Sequence, residues 1–160
     1  MVQLNTYMVI EQQGDGRNKL IEMNYLSSAV INENIENLTD TCTVTIPSKL
    51  SWQSINIGEL IRRGDKISLF AGYDDRMHDV FNGYITSVSS RVPISIECEN
   101  LMYGLKKYPV TKSYSTINLH KLCEDIIPSG IIYKADDVQL GAFRTKNNPT
   151  IPKVFEGLKE

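Results

Sequence analysis

The sequence predicts a mainly β protein: a small, curled antiparallel β-barrel followed by a partial α+β second domain. Three observations carry that expectation. Strand-like stretches with two-residue alternation succeed one another over residues 4–100. Glycines interrupt two neighbouring strands, at Gly72 and Gly83, where a bulge or sharp bend lets a sheet curl. Helical periodicity sets in only beyond Asn100. The 160 residues suit one domain, or one domain with part of another. With 41% hydrophobic and 22% charged residues the chain has an ordinary globular composition, and ten glycines with six prolines are too few for a disordered or collagen-like chain.

The elements follow in order. Residues 7–11 and 20–25 flank the turn-rich Gly14-Asp15-Gly16-Arg17-Asn18 and read as a hairpin. An extended segment over 29–35 comes next. Thr41-Cys42-Thr43-Val44-Thr45-Ile46 then alternates without a break, with Cys42, Val44 and Ile46 on one face and Thr41, Thr43 and Thr45 on the other; Pro47 ends the ladder. Residues 56–61 are long enough for about one turn of helix. Gly64-Asp65 forms a turn into a strand on which Ile67, Leu69 and Ala71 share a face, up to Gly72 and Tyr73. Asp74-Asp75-Arg76-Met77-His78 reads as a polar loop, and 80–88 as the next strand, containing Gly83. Over 92–98, Ile94, Ile96 and Cys98 point inward while Ser95 and Glu97 point outward.

Beyond Asn100, residues 101–107 read as a short helix and Pro109 as a boundary, giving domains 1–109 and 110–160. Leu119, Leu122, Cys123, Ile126 and Ile127 recur at helical spacing, with Thr116 or Asn118 as N-cap and Pro128-Ser129-Gly130 as the stop. A strand over 131–133 and a polar stretch to Asn148 lead to a last helix from Ile151, with Ile151, Val154, Phe155 and Leu158 on one face. That helix has no C-cap glycine and little chain left to pack on, so the natural protein is expected to continue past Glu160, with 110–160 the start of a truncated second domain.

Chemistry is harder to find. The net charge of −2 gives no cationic excess, which argues against tight nucleic-acid binding. No apolar run reaches the roughly 18–20 residues of a membrane span, so no membrane insertion is expected. Cys42, Cys98 and Cys123 sit in apolar contexts and read as buried, reduced thiols of a chain made in a reducing cytoplasm. His78 stands among Asp74, Asp75 and Asp79, but their spacing matches no calcium loop and suits a charged hairpin loop. His120 and Cys123 make at most half a zinc site. Glu97 and Glu99 share a strand face, as a carboxylate pair or as ordinary polar surface. No nucleophile elbow and no phosphate loop accompany them. The residues thus name no catalytic group, no cofactor and no metal site.

Set in order, Leu38-Thr39-Asp40-Thr41-Cys42-Thr43-Val44-Thr45-Ile46-Pro47, then Ile61-Arg62-Arg63-Gly64-Asp65-Lys66-Ile67, then Ala71-Gly72-Tyr73 and Phe81-Asn82-Gly83-Tyr84-Ile85 resemble the first barrel of phage baseplate hub proteins of the late control protein D family, which is related to the spike proteins of type VI secretion. Residues 114–127 with their Pro-Ser-Gly stop resemble the start of the next hub domain. The resemblance implies a structural protein without enzymatic activity, part of a homotrimeric ring that joins the tail tube to the central spike, made in the bacterial cytoplasm and assembled into the virion tail. It implies that Gly64 and Asp65 set a turn and that Gly72, Tyr73 and Gly83 mark bends. Thr41, Thr43 and Thr45 would then face a lumen or a neighbouring subunit. Two other readings compete. A stand-alone barrel binding oligosaccharide or single-stranded nucleic acid would use Trp52, Tyr73 and Tyr84. A small hydrolase would use Glu97, Glu99 or His78.

Overall fold

In the computed structural model the described residues are 4–158, apart from 15, 35–37, 48–50, 53–54, 74–75, 90 and 92. They divide into two compact units, 1–103 and 104–160. The division falls ahead of the expected boundary at Pro109, which instead bridges to Thr150 inside the second unit.

Alternation builds the first unit. Its strands are β1 (Leu4–Glu11), β2 (Leu20–Met23), β3 (Ser28–Asn32), β4 (Thr41–Ile46), β5 (Ser51–Trp52), β6 (Ile55–Asn56), β7 (Lys66–Tyr73), β8 (Arg76–Val88) and β9 (Ile94–Asn100), with one helical turn, α1 (Ile57–Leu60), before β7. Seven of them form one antiparallel sheet in the order β2-β1-β7-β8-β9-β4-β3, and β5 pairs with β6 in a separate two-stranded ribbon. One face of the large sheet buries Met8, Ile10, Ile21, Val44, Ile67, Leu69, Phe81, Ile85, Ile96 and their neighbours in a single cluster. These side chains come from strands across the whole sheet, so they reach one another because the sheet curls over its own face. Ile61, just past α1, is buried in the same cluster.

The fold is mainly β with a curled antiparallel sheet, as expected, but the sheet does not close into a barrel. Every neighbouring pair is antiparallel, so with seven strands the edge strands β2 and β3 run in the same direction. Side-by-side pairing of parallel strands needs a crossover of about a dozen residues or more, whereas only residues 24–27 separate β2 from β3. The sheet therefore stays open, and the chain passes directly from one edge to the other.

Other expectations shift in detail. Arg76, Met77, His78 and Asp79, expected in a loop, are the start of β8, paired with Tyr73, Gly72, Ala71 and Phe70; Asp74 and Asp75 lie outside the described residues. Gly72 and Gly83 are not themselves the bulges. Those fall between Leu69 and Phe70 of the β7–β8 ladder and between Ile85 and Ser87 of the β8–β9 ladder, leaving Val80 and Thr86 as the extra residues of β8. Val80 and Val88 thereby reach the core alongside Phe81 and Ile85. The glycines answer to a different constraint, close backbone approach: a Cβ on Gly72 would lie 1.8 Å from the Arg76 carbonyl oxygen, and one on Gly83 would lie 2.0 Å from that of Glu99.

The second unit follows α2 (Met102–Leu105), which spans the division. It contains β10 (Tyr114–Asn118), α3 (Leu119–Ile126), β11 (Gln139–Phe143) and α4 (Ile151–Gly157). Asn118 is the N-cap of α3, its Oδ1 accepting the Lys121 N–H at 2.8 Å. The strand expected over 131–133 is absent, and Ile132 is 99% exposed. The strand forms instead at β11, which pairs with β10, an element the sequence reading missed. Pro152 enters the first turn of α4, where its missing N–H costs nothing, and Ile151 and Val154 are buried beside it.

Candidate functional site

The most constrained polar group is Asp65, which is fully buried; Gln12 is the other buried polar residue among those described. It follows Gly64, whose φ of +91° is a left-handed conformation that glycine adopts without strain. The turn puts the Asp65 carboxylate where four donors converge. Arg17 grips it with both guanidinium arms, Nη1 to Oδ1 at 3.0 Å and Nη2 to Oδ2 at 2.8 Å. The backbone N–H of Gln13 donates to Oδ1 at 3.0 Å and that of Arg62 to Oδ2 at 2.8 Å. Arg17 Nη2 and Gln12 Nε2 also reach the Leu60 carbonyl, at 2.7 and 2.8 Å. The backbone of Asp65 extends the junction, its carbonyl accepting the Ile85 N–H at 2.9 Å. Asp65 thus ties the β1–β2 loop and the turn at Arg62 to β8, and Arg17 and Gln12 add the end of α1 to the junction. Every acceptor position of the carboxylate faces a donor, an arrangement suited to holding a fold rather than moving a proton.

The outer face of β3, β4 and β9 is the second feature. Thr41 is exposed and Thr43 and Thr45 are half-buried. The ladders set Thr41 between Asn32 and Glu99, Thr43 between Val30 and Glu97, and Thr45 between Ser28 and Ser95. Glu97 is exposed, and its carboxylate accepts the Ser87 hydroxyl at 2.7 Å while its carbonyl accepts that of Thr86 at 3.0 Å at the bulge. The two glutamates share a polar strand face with hydroxyl neighbours. Val30 is 54% exposed on the same surface.

A third feature gathers Tyr84, Tyr103 and Arg63. The two rings stand 5.8 Å apart between centroids, and Arg63 Nε donates to the Tyr103 hydroxyl at 3.0 Å. Tyr73 is 59% exposed at the end of β7; the Trp52 side chain lies outside the described residues. His78 is exposed on β8, and His120 lies on α3 with its ring 6.4 Å from that of Tyr133. Among the described residues no group of three His, Cys, Asp or Glu side chains is placed to hold a metal ion. No helix among them is long and apolar enough to cross a membrane.

Concave space is modest. A groove of about 200 Å³ on the first unit is lined by Val9, Glu11, Leu20, Lys66, Ser68 and Leu101 among others, and one of about 330 Å³ on the second by Tyr114, Thr116, Lys121, Asp125 and Gln139 among others. In the latter the Tyr114 hydroxyl donates to Asp125 at 2.9 Å, and burial together with that bond pushes its pKa up to about 12.

Sequence patterning identifies Asp65 only as a turn residue and does not single out Arg17. The signal available was a buried-type turn aspartate together with one arginine in the preceding hairpin loop, which alternation cannot connect.

No family model matches the chain, and no curated protein matches it. Its fold is similar to that of a solved chain in the structure described as the PdpA–VgrG complex, lidless, with a TM-score of 0.57 and 12% sequence identity. The likeness covers 99% of this chain and 31% of that one, so this chain spans about a third of that chain's length.

Proposed function

We propose that this chain is a structural, non-catalytic component of a phage or prophage-derived tail baseplate hub, contributing to a ring that joins the tail tube to the central spike. The observation that carries the reading is the fold likeness over 99% of the chain to part of the PdpA–VgrG complex. The ordered turns and alternation that resemble the late control protein D family point the same way. The partners in this reading are further copies of the chain in a homotrimer, the tail tube and the spike; the protein is made in the bacterial cytoplasm and assembled into the virion tail.

The outer face of β3, β4 and β9 suits such a conduit. Its outward groups include the hydroxyls of Thr41, Thr43 and Thr45 and the carboxylates of Glu97 and Glu99, and no lysine or arginine stands on these three strands. A phosphate backbone passing these strands meets hydroxyls and carboxylates, with Arg63 near Glu99 as a neighbouring cation, which is too little positive charge for a tight grip. Sedimentation equilibrium on this chain and on the longest version its gene encodes tests the proposal. A trimer of the longer chain, ring-shaped in negative-stain micrographs, is expected. A strict monomer at both lengths that also fails to co-purify with tube and spike proteins would overturn it.

A second reading rests on the Tyr84–Tyr103 pair and the adjoining Arg63, groups that stack on sugar rings or bases. Saturable binding of an oligosaccharide or of single-stranded nucleic acid, lost in Tyr103→Ala, would favour it over the hub.

A further inference from the structure

Cys42 and Cys98 are direct partners in the β4–β9 ladder, both on the core face, 1% and 2% exposed. Residues directly opposite in an antiparallel ladder have Cα atoms about 4.5–5.5 Å apart, within the roughly 4.4–6.8 Å a disulfide spans. The ladder's phase can be read from one bond: the Asn100 N–H donates to the Asp40 carbonyl at 3.0 Å, just beyond the Thr41–Glu99 pair. Hydrogen-bonded pairs alternate along the ladder, so Cys42 and Cys98 form a bonded pair with Cα atoms near the upper end, about 5.5 Å. Closing a disulfide there draws the Cβ atoms in to about 3.8 Å and adds local twist. A bond formed under that strain is one that reduces readily.

We infer that Cys42 and Cys98 form a reversible redox pair that closes to a cross-strand disulfide in the folded protein. The oxidant is a small-molecule disulfide. Local opening of β3 from β4 exposes one cysteine, which ionises and attacks the oxidant as a thiolate to give a mixed disulfide, releasing one thiol. The other cysteine then displaces the second thiol and forms the protein disulfide. Two cysteine thiols are oxidised, one disulfide is reduced to two thiols, and the two cysteine protons leave on those thiols. Cys123, the third cysteine, lies in the second unit and has no part in the step.

The closed bond would pin β4 to β9 beneath the face bearing Thr41, Thr43, Thr45, Glu97 and Glu99, and its effect would be felt as increased twist of that face. The test uses the whole 160-residue chain, incubated without denaturant in oxidised and then reduced glutathione. The expected result is a mass lower by two hydrogens, a Cys42–Cys98 peptide in the unreduced digest, and a fall in denatured thiol count from three to one. Reduced glutathione restores all three, and Cys123→Ala behaves as wild type in closing the bond. The inference is overturned if both thiols stay free, if only glutathione adducts form, or if the crosslink appears solely after unfolding. Cys42→Ala and Cys98→Ala each leave no intramolecular crosslink; a crosslink to Cys123 in either would equally overturn it.

Discussion

Arg17 holds Asp65 through two parallel hydrogen bonds although 48 residues separate them in sequence. The pair is almost fully enclosed, with side-chain exposures of 18% and 1%. Removing one partner of a buried pair leaves the other charge without compensation, at a cost of about 3–5 kcal/mol. Asp65→Ala should therefore lower stability by that amount in urea unfolding, since it strands the guanidinium and two backbone N–H groups together. Arg17→Ala should lose less, because Gln13 and Arg62 still donate to the carboxylate. Equal, negligible losses for both variants would mean that the clamp contributes nothing to stability.

Gly83 tests the close approach of β8 to β9. A methyl group there would sit 2.0 Å from a backbone oxygen that belongs to a ladder and cannot swing aside. Gly83→Ala should cost about 3 kcal/mol or more, and Gly72→Ala should behave alike, with its Cβ 1.8 Å from the Arg76 oxygen. Gly157→Ala, where nothing lies within 4 Å, is the control. Thermal midpoints that do not distinguish Gly83→Ala from the control would refute the packing argument.

Alkaline pH should weaken the first unit. Burial pushes the Cys42 thiol up to about 11 and raises that of Cys98 as well, with Cys42 and Glu97 adding to the latter. An unfolded chain ionises these thiols near their ordinary value of 9.0. Above that value the unfolded state holds fewer protons than the folded one, so stability that is complete at neutral pH falls as pH climbs toward 11. The slope should approach about 1.4 kcal/mol per pH unit for each thiol. Urea midpoints measured from pH 8 to 11 should fall more steeply for the wild type than for Cys42→Ala, whatever the variant's starting stability. Parallel profiles would contradict the assignment.

The second unit offers a cap. Asn118 satisfies an otherwise unpaired N–H at the start of α3. Asn118→Ala should cost about 1 kcal/mol, while Asn118→Asp should retain most of the stability. Amide hydrogen exchange at Lys121 would report the change locally, and unaltered protection in the alanine variant would rule the cap out.

By itself the sequence determined the local elements: the threonine strand ending before Pro47, the inward Ile94, Ile96 and Cys98, the turn at Gly64, and the helices beginning near Leu119 and Ile151. Each rests on a period of two or of about 3.6 and on residues adjacent along the chain, so each is written where it is read. Tertiary structure decided the rest. Ile131, Ile132 and Tyr133 have strand propensity but no partner, whereas residues 139–143, with a glycine at φ +69°, become a strand because β10 is there to pair with them. The open seam follows from the strand count and the short link between β2 and β3, quantities that acquire meaning only once the strand order is known. The joining of Arg17 to Asp65 and of Cys42 to Cys98 likewise depends on register between distant segments. Hydrogen bonding and burial select that register over the whole sheet at once, and no local pattern carries it.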